Sequence, residues 1–162
     1  MTEYLDIVNE ADEVIGRAPR DQIYAEKKLH RIVHVLLFTS SGKIILQKRA
    51  KHVSFCPLHW STSVGGHVRS GETWEQAAVR EAQEELGIQI EPLFGYTDMY
   101  TPVTAIHKIL TTFTAVYDGV LTPNPKEVDS IRAFSLKEAK TLIHNGEKIH
   151  PELAFILTTH YL

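Results

Sequence analysis

The sequence predicts an α/β fold, a mixed β-sheet covered by helices on both faces. Strand-like and helix-like stretches alternate along the 162 residues, which is the pattern of a layered α/β domain. Residues 32–38 (Ile-Val-His-Val-Leu-Leu-Phe) are apolar at nearly every position, as suits a strand buried on both faces. A long helical stretch after a glycine pair, and two more after the last strand, supply the covering layers.

Taken in order, residues 4–8 alternate apolar and polar side chains, residues 9–13 turn, and residues 14–16 return as a strand. The acidic turn lacks the ligand spacing of a calcium loop and is read as structural. Residues 17–28 are mixed and weakly helical at best. Ser40-Ser-Gly-Lys43 turns the buried strand into a second one, residues 44–49. Residues 50–59 are irregular, with Pro57 interrupting them, and residues 60–64 read as one short strand leading into Gly65-Gly66. Beyond the central helix, residues 94–99, 109–117 and 128–134 are strands, separated by Asp118-Gly119 and a Pro-containing loop at 122–125. Ser135 caps a helix to about His144, ended by Asn145-Gly146, and Pro151 opens a final amphipathic helix. No repeat or linker divides the chain, so residues 1–162 are expected to form one domain.

Twenty acidic residues against 17 basic ones leave no electrostatic footprint for nucleic acid. No apolar run approaches the roughly 18–20 residues a membrane span needs, and the first residues lack the basic and apolar regions of a signal peptide. Cys56 is the sole cysteine and cannot close an internal disulfide, which fits a cytoplasmic protein. A small polyphosphate substrate remains compatible with this charge balance, met by a local basic patch or a metal. The oligomeric state is open, with the N-terminal hairpin as a surface that could pair across a homodimer.

The residues that carry chemistry lie between Gly66 and Ile88. Thr73 and Gln76 form a candidate capping box, so the helix starts at Trp74, and Gly87 supplies its stop. At roughly 100° per residue, Glu81 and Glu85 share a face with Ala77 and Ala78, and Glu84 flanks it. Carboxylates beside a packed face repel one another and are costly to bury unpaired. A hard cation such as Mg²⁺, with Mn²⁺ as a substitute, resolves both problems.

This stretch resembles, at every defined position, the signature of the Nudix hydrolases: Gly66, five residues, Glu72, seven residues, Arg80-Glu81, two residues, Glu84-Glu85, one residue, Gly87 and an apolar residue. The resemblance implies the Nudix α/β/α sandwich and metal-dependent hydrolysis of a small molecule containing a diphosphate. It assigns Glu81, Glu84, Glu85 and the Gly66 carbonyl to the metal, with one carboxylate available as base. It pairs Arg80 with Glu72 to orient the cluster. Glu127, after the Pro-containing loop, is a further candidate base or ligand. Arg49 and Lys48, with Lys51 as an alternative, are candidates for phosphate contact.

A looser similarity covers residues 4–135 and points to type 1 isopentenyl-diphosphate isomerases. It rests on Leu29-His30, Ser41-Gly42-Lys43, Lys48-Arg49, Pro57, Trp60 and Gly65-Gly66-His67. It implies a metal or substrate contact for His30 and His67. The isomerases' catalytic cysteine falls at Gly65 here, and their Glu-x-Glu falls near Ile106-His-Lys108. Neither supplies the acid group that isomerisation needs, and Cys56 reads as a packed, unreactive thiol. Hydrolysis is therefore the expected activity, with a prenyl-diphosphate isomerase as the alternative. A non-catalytic nucleotide sensor fits less well, because the glutamate cluster is intact.

Overall fold

A computed structural model describes residues 1–162. An antiparallel hairpin, β1 (Tyr4–Val8) and β2 (Val14–Pro19), leads into a short helix, α1 (Arg20–Ala25). The central strand is β3 (His30–Phe38), buried at seven of its nine positions. It runs parallel to β8 (Lys108–Val116) over its full length, and β7 (Leu93–Tyr100) pairs antiparallel with the far side of β8.

The other side of β3 is divided. Its last residues pair with β4 (Ile44–Arg49) only at Leu37↔Ile45 and Phe38↔Ile44, after which the two strands part. The segment β5 (Trp60–Ser61) and β6 (Val64–His67) fills the fork, β5 pairing with β4 and β6 with β3. Ser63 stitches the crotch: its hydroxyl accepts from the Leu37 amide at 2.8 Å and donates to the Ile45 carbonyl. The outer side of β4 carries β9 (Val128–Phe134).

Alternation along β3 distributes the core to two layers. Val33, Val35 and Leu37 pack with Ala77, Ala78, Ala82 and Leu86 of helix α2 (Trp74–Leu86). On the opposite face Leu36, Ile44, Leu46 and Phe134 pack with Ala139 of α3 (Leu136–His144) and Leu153, Ile156 and Leu157 of α4 (Pro151–His160). Helices on both faces of a mixed sheet are thus observed.

Two local expectations need correction. Residues 17–28 are not weakly structured: β2 continues to Pro19 and a six-residue helix follows. Burial of Ile23 against Leu5 and Ala18 supplies the tertiary contact that so short a helix lacks on its own. Residues 60–64 are not one strand, because Thr62 and Ser63 sit where the chain crosses from β4 to β3 inside the fork. No helix is long and apolar enough to cross a membrane.

The three alanines of α2 let it approach the sheet closely, which leaves Leu86 as the largest fully buried side chain on that helix. Leu86→Ala is expected to cost about 2–5 kcal/mol. Urea denaturation would show it as a lower midpoint at unchanged slope.

Candidate active site

Both ends of α2 are capped. The Thr73 hydroxyl accepts from the Gln76 amide at 3.1 Å, and the Gln76 side chain accepts from the Thr73 amide at 2.9 Å. Gly87 takes the left-handed conformation, φ 66°, that ends the helix. With both ends set, helical rotation turns Glu81 and Glu85 inward beside the alanines and leaves Glu84 exposed.

Arg80 ties the cluster together. Its Nε and Nη2 grip the two oxygens of Glu72 at 2.6 and 2.9 Å, a bidentate pairing. Nη1 donates to Glu81 at 2.7 Å and Glu84 at 3.3 Å, and Nη2 also donates to the His67 carbonyl at 2.9 Å. Burial alone would raise the Glu72 carboxyl, but the Arg80 hydrogen bonds prevail and hold it below its usual range. Gly66 lies directly over Glu81, and a Cβ there would run into that carboxylate. Only glycine leaves the backbone room for this approach.

Glu85 is the costly member. It is buried and accepts only from neutral donors: the Gln47 side-chain amide and, at 3.3 Å, the Gly65 amide. Burial and the neighbouring Glu81 push its carboxyl well above the usual range. Burial likewise lifts Glu81 to about 7 despite Arg80. Burial and the nearby Glu84 raise Glu127, which joins the cluster from the loop before β9. No three of these side chains stand together as a formed ligand set, but acids that raise one another's carboxyls are the kind of donors that suit a hard divalent cation. Glu81, Glu85, Glu84 and the Gly66 carbonyl are the residues that could hold it.

The fork between β3 and β4 opens into a cavity of about 590 Å³ bounded by Gly65, Gly66 and Glu85 on the cluster side. Arg49 and Gln47, two residues apart on β4, both face it. Lys48 does not. Strand alternation turns it to the opposite face, where its ammonium sits over the Trp60 ring. Lys51 is exposed and also outside the cavity.

His30 and His67 stack at 5.6 Å, and each has a protein partner: His30 Nδ1 donates to the Lys28 carbonyl, and His67 Nε2 meets the Tyr24 hydroxyl at 2.8 Å. Burial depresses them to about 4 and about 3, so both are neutral. His67 lines the cavity and His30 stands behind it. Among the cavity's other walls is a buried ionic group absent from the sequence-level assignment. Lys108 Nζ donates to Glu152 Oε2 at 3.0 Å, and His34 Nε2 lies 3.0 Å from Glu152 Oε1.

The features that would support isomerisation are missing. A Cβ at Gly65 would already stand 2.9 Å from His34 Nδ1, so the pocket has no space for a cysteine there. Lys108 replaces an acid with a cation, and Cys56 lies outside the cavity, its thiol raised by burial.

The NUDIX domain family model matches residues 28–154. The chain belongs to the Nudix family. It is a Nudix pyrophosphohydrolase similar to a Nudix hydrolase of Nostoc sp., 32% identical over 168 residues, covering 98% of this chain and 96% of that one. A Yersinia pestis Nudix hydrolase is 33% identical over 129 residues, covering 80% and 71% of the two chains. DR0079 of Deinococcus radiodurans superposes with a TM-score of 0.86 at 28% identity, over 99% of this chain and all of that one.

Glu152 carries two predictions. Burial would raise its carboxyl, but the bonds from His34 and Lys108 depress it far below the unfolded value. Its stabilisation is therefore present above the unfolded pKa and lost as pH falls below it. Glu152→Gln should lower the melting temperature at pH 7 and flatten the acid-side decline seen by calorimetry. Arg80→Lys, which keeps charge but loses the bidentate fork, should still destabilise the protein by about 1–2 kcal/mol in urea titrations.

Proposed function

We propose that this Nudix pyrophosphohydrolase is metal-dependent and cleaves a diphosphate linkage in a nucleotide-type or related small molecule by attack of water on phosphorus. The observation that carries the reading is the buried Glu85 carboxylate, beside Glu81 and without a cationic partner. A Mg²⁺ or Mn²⁺ ion at Glu81, Glu85, Glu84 and the Gly66 carbonyl would supply positive charge for the diphosphate oxygens and acidify a water.

The chain's own residues do the rest. Arg80, locked by Glu72, holds Glu81 in place so that the cluster is preorganised. Glu84, exposed and held by Arg80 at 3.3 Å and Arg69 at 3.7 Å, is free to take the proton of the attacking water. Glu127, whose carboxyl burial and the nearby Glu84 raise, is a second candidate for that task. Arg49 faces the cavity with its guanidinium anchored through Nε to the Phe55 carbonyl, which leaves its outer nitrogens for phosphate oxygens. His67, neutral and bonded to Tyr24, forms wall for the substrate rather than a second metal ligand.

A panel of nucleoside di- and triphosphates, dinucleoside polyphosphates, nucleotide sugars, coenzymes and prenyl diphosphates, incubated with Mg²⁺, tests this reading through the phosphorylated products separated by anion-exchange chromatography. At least one compound should be hydrolysed, and chelation should abolish the reaction. Dimethylallyl diphosphate formed from isopentenyl diphosphate would replace hydrolysis with isomerisation. Glu81→Gln and Glu85→Gln should each lower turnover by on the order of 100-fold or more, and near-normal rates in both would remove the assigned site.

A further inference from the structure

Asp6 on β1 stands opposite Arg17 in the N-terminal hairpin, where an ion pair would be ordinary. None forms. The Arg17 guanidinium sits over the Tyr4 ring instead, 4.9 Å from its centroid. Both Asp6 oxygens go to a distant turn: Oδ1 accepts from the Ser70 hydroxyl at 2.6 Å and Oδ2 from the Gly71 amide at 3.4 Å, across 64 and 65 residues of chain.

That turn delivers Glu72 to Arg80. It closes on itself, the Glu72 amide donating to the Arg69 carbonyl at 3.0 Å and the Arg69 amide to Glu72 Oε2 at 2.8 Å. Gly71 takes φ 83° within it. These bonds set the shape of the turn but not its direction. Direction comes from β1. Leu5 bridges to Arg69, the Ser70 amide donates to the Tyr4 carbonyl at 2.8 Å, and Asp6 adds two charge-assisted bonds. Glu72 in turn governs the cluster, because Arg80 is bidentate on it and reaches Glu81 at 2.7 Å. A second tie, weak because it is exposed, runs from Glu3 to Arg69 at 3.3 Å and from Arg69 to Glu84 at 3.7 Å. A strand that lies ahead of the Nudix domain is thus wired to the carboxylate cluster.

We propose that Asp6 is a positioning residue for hydrolysis: it holds the Ser70–Gly71 turn, which keeps Glu72 and Arg80 aligned on Glu81. This rests on Glu81 belonging to the hydrolytic site, as argued above. Asp6 acts through the arginine clamp, raising the fraction of molecules in which that clamp is closed.

Nitrogen-15 NMR of the full chain in chelator reads the clamp without catalysis. The Arg80 Nε–H, bonded to Glu72, should exchange slowly with water in the wild type. Asp6→Ala and Ser70→Ala should each speed that exchange by on the order of tenfold, about 1.4 kcal/mol of local stability. The double variant should match either single one, since both remove the same contact. Ser70→Thr, which returns the hydroxyl, should restore slow exchange. Asn9→Ala is the control for general loosening of the hairpin. Asn9 Oδ1 accepts from the Ala11 and Glu13 amides in the β1–β2 turn, so this variant should melt earlier with the Arg80 signal unchanged. On the panel compound that the wild type hydrolyses fastest, Asp6→Ala should lower kcat and leave KM nearly unchanged. Wild-type Arg80 exchange in folded Asp6→Ala and Ser70→Ala would overturn the positioning role, as would a loosened clamp with undiminished kcat. A fully active Glu81→Gln enzyme would instead overturn the site that the clamp serves, a result the exchange measurement cannot produce, so the two failures are distinguishable.

Discussion

Burying Glu85 without a counter-charge is the constraint on which the rest of the molecule depends. A lone carboxylate in a protein interior is held only at considerable cost, and here its partners are two neutral N–H donors, from Gln47 and Gly65. The surrounding architecture makes that burial possible. Three alanines bring α2 against the sheet, Gly66 lets the backbone pass directly over Glu81, and the forked strands deliver Gln47 and Gly65 from opposite sides. Arg80 then offsets the charge on Glu81 and spreads its remaining contacts to Glu72, Glu84 and the His67 carbonyl.

The fork also separates two tasks. One arm, β6, carries the chain into the glycines over the carboxylate cluster. The other, β4, aims Arg49 into the cavity and Lys48 away from it. Between them Ser63 replaces the backbone pairing that β3 and β4 lose when they diverge. The cavity is therefore a consequence of sheet topology, and its walls differ in chemistry: acidic where a metal would sit, with the paired Lys108 and Glu152 and the cation Arg49 elsewhere on its lining.

Much of this was legible in residue order because it depends on neighbours close in sequence. The capping box at Thr73, the stop at Gly87 and the inward turn of Glu81 and Glu85 are local rules of one helix, and each is present. The buried strand was legible from its apolar run. Lys48 and Arg49 could have been separated by the same two-residue period, since Gln47, a polar residue in an apolar strand, marks the face that turns toward Glu85. The Lys108–Glu152–His34 group was not legible. Its members lie 44 and 118 residues apart, and only the order of strands brings them together. Each does leave a faint signal as a charged or polar residue inside or at the edge of an apolar run.

Diffraction from a crystal soaked in Mn²⁺, with the anomalous signal used to locate the ion, bears most directly on why Glu85 is buried. The account predicts manganese bonded to Glu81, Glu85 and the Gly66 carbonyl, with the Gln47 contact to Glu85 loosened or lost. Manganese found only elsewhere, with Glu85 still held by Gln47 and Gly65 and Glu81 still on Arg80, would contradict it.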